Sequence, residues 1–158
     1  MLSTKNEELL TEITQRFFLA AEKERLNKGV VNQAISDLKY IFLKDAEKKE
    51  DWCLLDSFGK TISADSYQER LENHHIAGRH SNVCVTIHVS HHIRISLRQL
   101  FWDSRWNRVF DSENLNISFL MEGLKEILVE KSLCTGINDY ALLGYSLAPL
   151  VKRYREMA

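Results

Sequence analysis

Proline and cysteine are scarce in this chain. Its 158 residues include one proline, Pro149, and three cysteines, Cys53, Cys84 and Cys134. The cysteines are odd in number and include no Cys-x-x-Cys pair, which argues against a disulfide framework or a zinc knuckle and favours reduced thiols. No stretch rich in proline, glycine or serine divides the chain, and no internal repeat recurs. We therefore predict a single domain over residues 1–158.

Long hydrophobic runs are missing as well. No apolar segment approaches the roughly 20 residues that a helix needs to span a bilayer. Residues 1–8 are too polar and acidic for a secretory signal. These absences predict a cytoplasmic protein with no membrane partner. Hydrophobic residues nevertheless make up 44% of the chain, which is enough for a core and excludes a disordered polymer.

Net charge is nearly absent, but the total conceals a local bias. The formal charge of the whole chain is −1. Residues 73–102 contain no aspartate or glutamate, and no lysine occurs between Thr61 and Leu124. All six histidines fall between His74 and His92. The central segment is therefore basic through arginine and histidine, whereas the flanking segments are mildly acidic.

Hydrophobic spacing predicts a helix pair in the N-terminal part of the chain. Apolar residues recur every three to four positions in two segments, which predicts helices over about residues 5–27 and 31–48. A capping box that begins at Thr4 supports the start of the first helix. Farther along, the pattern predicts a short hairpin over 52–63 and a short helix over 65–73.

Helical spacing returns in the C-terminal part. Residues 115–119 fit either a last strand or the start of a helix, and the pattern that follows is helical until Gly136. Asn138 or Asp139 can cap a final helix, and Pro149 either kinks that helix or starts a new segment. This part of the sequence predicts a second helix pair.

The clearest strand signal lies in residues 83–97. Odd-numbered positions are mainly apolar and even-numbered positions mainly polar, which is the alternation of a half-exposed strand. A three-residue turn at 90–92 would form a hairpin that keeps the apolar residues on one face and sets His88 opposite Arg94. The order of elements predicts an α+β fold, in which an antiparallel sheet from the central segment is flanked by an N-terminal and a C-terminal helix pair.

The polar face of this predicted hairpin is a surface of hydrogen-bond donors. Arginine forks suit carboxylates, phosphates and aromatic rings, and tryptophan beside arginine is a common composition of protein interfaces. The candidate binding residues are His88, Arg94, Arg98, Trp102, Arg105, Trp106 and Arg108. Three plainer interpretations stay open: a solvated sheet face, arginines paired with carboxylates of a helix, and tryptophans that build core.

Familiar catalytic and cofactor motifs are missing. The chain has no Gly-x-Ser-x-Gly elbow and no glycine-rich phosphate loop, and we predict no cofactor. Two histidines can still cleave a phosphodiester by acid–base catalysis, with His88 and His92 (or His80) as the pair and Arg94 as the stabiliser. The histidines lack a helical His-x-x-x-His pattern and a carboxylate nearby in sequence, so we predict no metal site.

These observations favour a small cytoplasmic protein that binds another protein and has no catalytic activity. Inhibitors, immunity proteins, adaptors and chaperones are of this kind. The acid-depleted central surface suits an acidic protein partner. The alternative is a nucleic-acid-binding protein or a histidine-dependent phosphodiesterase or ribonuclease that acts through the same surface.

Overall fold

A computed structural model describes residues 4–43, 71–78, 83–106 and 112–158 of the chain. Helices dominate these residues, and they also contain one two-stranded antiparallel sheet. The fold is therefore α+β, as predicted, with a much larger share of helix than the sequence indicated. The hairpin predicted over 52–63 lies outside the described residues. Within the described residues, no helix is both long enough and apolar enough to cross a membrane.

Two helices form the N-terminal part of the fold, as the hydrophobic spacing predicts. Helix α1 spans Thr4–Glu24 and α2 spans Lys28–Leu43. Asn27 lies between the two helices and caps α2. Its Oδ1 accepts hydrogen bonds from the amides of Gly29 at 2.8 Å and Val30 at 3.3 Å. Both helices contribute to the core with residues at helical spacing, namely Leu9, Ile13 and Phe17 from α1 and Ala34, Leu38 and Ile41 from α2.

The sheet pairs strand β1, Leu71–His75, with strand β2, Cys84–His88. The strands are antiparallel, with Leu71 opposite His88 and His75 opposite Cys84. The short helix predicted over 65–73 is wrong for its last residues, because residues 71–73 lie in β1 and pair with β2.

The second half of the predicted hairpin is wrong, because a helix follows β2 directly. Helix α3 spans Val89–Gln99, and His88 caps it by accepting a hydrogen bond on Nδ1 from the amide of Ser90 at 3.2 Å. His88 therefore does not lie opposite Arg94 in a sheet. The alternation of polar and apolar residues gave the wrong prediction of a strand here. The buried positions of α3 are four residues apart, and two of the three, His91 and Gln99, are polar.

Three helices complete the fold. Helix α4 spans Glu113–Thr135, α5 spans Asn138–Tyr145 and α6 spans Ala148–Glu156. Residues 115–119 are helical, and Gly136 ends α4 with a left-handed φ of 72°. Pro149 lies in the first turn of α6 and so starts a new helix.

Helix α4 occupies the centre of the fold. It contacts α3, α5 and α6, while α5 also contacts α1 and α2. An ion pair between Lys131 of α4 and Asp37 of α2 links the N-terminal helices to this centre. The turn after β1 approaches α4 so closely that a Cβ atom on Gly123 would lie 1.9 Å from the carbonyl oxygen of Ile76. The sheet, and with it the start of α3, is therefore held against α4.

Candidate functional site

Helix α3 has two chemically different faces. The inner face is directed at α4 and buries His91, Ile95 and Gln99. The outer face exposes large apolar side chains, of which Phe101, just beyond the helix, is 91% exposed. We call this outer set the α3 apolar stripe, and its members are Ile93, Leu97, Leu100 and Phe101.

Arginines of α3 form ion pairs with glutamates of α4. Arg94 Nε donates to Glu130 Oε1 at 2.6 Å, while Arg98 donates to Glu126 Oε2 at 2.5 Å and to Glu130 Oε2 at 3.1 Å. The two arginines are four residues apart on α3 and therefore lie on one face of that helix. The two glutamates are likewise four residues apart on one face of α4. The arginines that the sequence singled out are therefore paired with carboxylates of a helix, one of the plainer interpretations left open above.

The carboxylate of Glu130 is ionised although it is completely buried. Burial acts to raise the pKa of Glu130, but hydrogen bonds from His91 and Arg94, the charge of Arg94 and a hydrogen bond from Arg98 together lower it to about 2. The hydrogen bond to Glu130 in turn raises the pKa of Arg94. Helix α3 is thus fixed to α4 through a buried negative charge that its own arginines satisfy.

Cys134 lies one helical turn beyond Glu130 on α4 and contacts His91. Its Sγ lies 3.3 Å from Nδ1 of His91, and the same Nδ1 lies 3.1 Å from Glu130 Oε1 and 3.0 Å from Nη2 of Arg94. The ligand-type atoms of Cys134, His91 and Glu130 all lie within 4.8 Å of one another. We call these three residues the Cys–His–Glu cluster.

This geometry differs from that of a catalytic relay. A Cys–His–acid relay needs the thiol at one ring nitrogen of the histidine and the carboxylate at the other. Here Cys134 is nearer to Nδ1 than to Nε2, which is 3.8 Å away, and Glu130 also contacts Nδ1 of His91. The three groups therefore converge on one point, which is the arrangement that a bound cation requires.

The three residues of the suggested phosphodiester site have separate partners. Nδ1 of His88 lies 2.7 Å from Ser90 Oγ, and Nδ1 of His92 lies 2.5 Å from Glu72 Oε2 on β1. Arg94 is directed at Glu130. His80 lies outside the described residues. His88, His92 and Arg94 thus each contact a different group and do not converge on a common site.

The remaining candidate residues follow α3 in the sequence. Trp102 is buried in the core and stacks on Phe119, with ring centroids 5.7 Å apart. Trp106 is partly buried against the core. Arg105 donates to both carboxylate oxygens of Asp103, and its hydrogen bonds lower the pKa of Asp103 to about 2. Arg108 lies outside the described residues.

Sequence reasoning missed the half of the site that α4 supplies. Glu126, Glu130 and Cys134 follow one another at intervals of four residues on α4. This interval matches that of Arg94 and Arg98, and it was the available signal. No family model matches the chain, and comparisons with curated proteins and with solved structures found no match. The function therefore has to be argued from the chemistry of α3 and its neighbours.

Proposed function

We propose that this chain is a non-enzymatic protein-binding module that contacts its partner through the α3 apolar stripe. The observation that carries the proposal is the exposure of four large apolar side chains, two on the outer face of α3 and two in the residues that directly follow it, with Phe101 91% exposed. Contiguous apolar patches on a protein surface mark interaction sites. Burying each such side chain contributes roughly 1.5–3 kcal/mol, so the stripe supplies enough free energy for a specific contact.

The charges beside the stripe favour an acidic partner. Successive residues of a helix are rotated by about 100°, which places Arg94 and Arg98 between the stripe and the buried face. The side chain of Arg94 is 47% exposed, whereas its carboxylate partner Glu130 is 0% exposed. A partner that approaches the stripe therefore meets guanidinium groups and no carboxylate from α3 itself.

An amphipathic helix with acidic residues beside its apolar face is the partner that this chemistry fits best. Its apolar side chains would cover Leu97 and Phe101, and its carboxylates would lie near the exposed edge of Arg94. A second copy of the chain would instead bring its own arginines against these arginines. A nucleic-acid backbone fits this surface less well, because it carries no apolar side chains that would cover Leu97 and Phe101.

The proposal keeps the cytoplasmic location expected from the sequence. Cys84 and Cys134 are not joined in a disulfide bond, and thiols of this kind persist in a reducing compartment.

Selection of helical peptides from a randomised library against the full chain tests the proposal. We expect the enriched peptides to repeat apolar residues at helical spacing and to carry Asp or Glu beside them. Their affinity should fall by about tenfold or more in a Leu97→Ser/Phe101→Ser variant, because the stripe supplies the buried area. A Phe18→Ser/Leu19→Ser variant of α1 is the matched control, since both side chains are 56% exposed there.

Three outcomes would contradict the proposal. Enriched peptides that bind the stripe variant as tightly as the wild type would place the contact elsewhere. Enriched peptides that are basic would contradict the acidic partner. Sedimentation that reveals a dimer of the chain, lost in the Leu97→Ser/Phe101→Ser variant, would identify a second copy as the occupant.

A further inference from the structure

The Cys–His–Glu cluster combines three of the side chains that bind metal ions. The ion pairs account for Glu130, but neither they nor the α3 apolar stripe explains why a thiol and an imidazole lie beside it. We propose that His91, Glu130 and Cys134 form a site for a zinc-class divalent transition ion, and that the Arg94 guanidinium competes with the ion for the same ligand atoms. This inference concerns the inner face of α3. The three ligands take no part in the proposed function, which uses the outer face, and Arg94 is the one residue that both proposals involve.

Two separations between the ligand atoms are close to the edges of a tetrahedral site, and the third is within 4.8 Å. Bonds of about 2.0–2.3 Å to zinc place neighbouring ligand atoms about 3.3–3.7 Å apart. Cys134 Sγ lies 3.3 Å from His91 Nδ1, and His91 Nδ1 lies 3.1 Å from Glu130 Oε1. The cluster thus needs adjustments of only a few tenths of an ångström at these two edges.

The donor set selects the class of ion. A thiolate, an imidazole and a carboxylate together suit zinc or cobalt, whereas calcium and magnesium prefer oxygen ligands alone. On binding, the thiol of Cys134 loses its proton to the solvent and the thiolate bonds to the ion. One thiolate and the carboxylate of Glu130 then balance the two positive charges of the ion.

Rigid elements hold the three ligands in place. Glu130 and Cys134 lie on successive turns of α4, and His91 lies in the first turn of α3, directly after the strand β2. Both His91 and Glu130 are buried, so water competes little for their ligand atoms. Arg98 donates to the other carboxylate oxygen, Glu130 Oε2, at 3.1 Å and so orients the carboxylate from outside the cluster.

Arg94 is the group that the ion would displace. Its Nε lies 2.6 Å from Glu130 Oε1 and its Nη2 lies 3.0 Å from His91 Nδ1, and Arg94 also interacts with Cys134, so one guanidinium engages all three ligand residues. A guanidinium and a metal ion cannot share these atoms. The Arg94 side chain is 47% exposed and can turn into water, which leaves the fourth position of the ion open toward the solvent.

The chain contains a second Cys–His contact that serves as a control. Cys84 Sγ lies 3.2 Å from Nδ1 of His75, between the two strands of the sheet. Among the described residues, however, only His91, Glu130 and Cys134 form a group of three such ligands. Metal binding that needs only a thiol and an imidazole would occur at both Cys–His contacts. Metal binding that needs a third ligand would occur, of these two places, at the contact between α3 and α4.

Titration of the reduced full-length chain with Co²⁺ tests the site, because a thiolate bound to cobalt gives a charge-transfer absorption band and a tetrahedral ion gives strong visible bands. We expect one ion per chain, displaced by Zn²⁺. Cys134→Ser should abolish the charge-transfer band, while Cys84→Ser and Cys53→Ser keep it. Arg94→Ala should bind the ion on the order of tenfold more tightly, since the ion no longer has to break charge-assisted hydrogen bonds.

The outcomes separate the two halves of the proposal. A band that is missing from both the wild type and Arg94→Ala, or that persists in Cys134→Ser, would overturn the metal site. An affinity that is unchanged in Arg94→Ala would overturn the competition. Circular dichroism checks that each variant folds. If Cys134→Ser does not fold, X-ray absorption of the zinc-loaded wild type decides, because one sulfur ligand is expected and none would refute the site.

Discussion

Arg94 and Glu130 form an ion pair whose two partners differ sharply in exposure. The Arg94 side chain on α3 is 47% exposed and donates at 2.6 Å to a Glu130 side chain on α4 that is 0% exposed. The same carboxylate accepts a hydrogen bond from Arg98 and contacts His91, so three nitrogen-bearing side chains of α3 surround it. This buried charge, together with the Arg98–Glu126 pair, holds α3 and so helps to set the position of both its faces.

Replacing Glu130 by glutamine should destabilise the fold. The variant keeps the shape of the side chain but leaves the charges of Arg94 and Arg98 without their common partner. We expect the free energy of unfolding to fall by roughly 3 kcal/mol, the low end for a broken buried pair, because both arginines can reach water. Urea denaturation measures it. Glu72→Gln removes the half-exposed partner of His92 and should cost about 1 kcal/mol or less. Equal losses in the two variants would contradict the prediction.

The contribution of Glu130 should depend on pH. Its pKa is lowered from 4.5 to about 2 in the folded chain, because the hydrogen bonds and charges of α3 outweigh its burial. As the pH falls, the unfolded chain takes up a proton at this carboxylate before the folded chain does. The stabilisation is therefore complete above about pH 4.5 and is lost toward pH 2. Urea denaturation between these values should show the wild type and Glu130→Gln converging, and a constant difference would refute the pKa shift.

His74 should make the fold less stable as the pH falls below 6.5, a higher pH range than that of Glu130. Burial in β1 lowers its pKa from 6.5 to about 3, helped by the charges of His92 and His75. Below pH 6.5 the unfolded chain binds a proton at this residue and the folded chain does not, so stability falls as the pH drops toward 3. The loss from this one group approaches about 1.4 kcal/mol per pH unit.

A His74→Leu variant isolates this effect. Nε2 of His74 is buried without a hydrogen-bond partner, so an apolar side chain of similar size should be tolerated at pH 7. Chemical denaturation of both proteins at pH 7 and pH 5 should show the wild type losing more stability than the variant. Equal losses would mean that another group causes the acid sensitivity.

The sequence predicted the outer helices well because their signals are local. Hydrophobic spacing placed the starts of α1 and α2 to within a few residues, Gly136 marked the end of α4, and a new segment at Pro149 was one of the two alternatives predicted there. Each of these signals depends on residues within one or two turns of the boundary. Tertiary contacts did not have to be known for any of them.

The site could be predicted only in part, because its partners come from a distant segment. Arg94 and Arg98 were singled out from the local lack of acids, but their carboxylates lie 36 and 28 residues away on α4. The same segment hid its helix, because the buried face of α3 carries polar His91 and Gln99. Both residues are buried against neighbouring elements, whereas the sequence prediction placed His91 in a turn over 90–92 and ended the strand signal before Gln99.

Gly123 should tolerate no side chain. A Cβ atom there would lie 1.9 Å from the carbonyl oxygen of Ile76 and 2.6 Å from its Cγ2, so α4 and the turn after β1 would have to separate. We expect Gly123→Ala to lower the free energy of unfolding by about 3 kcal/mol or more, although alanine favours a helix by about 1 kcal/mol. Gly144→Ala is the matched control, because its nearest contact, Lys125 O, is 3.1 Å away and a small shift relieves it. Thermal and urea unfolding of both variants check this, and a Gly123→Ala protein as stable as Gly144→Ala would refute the close approach of the sheet to α4.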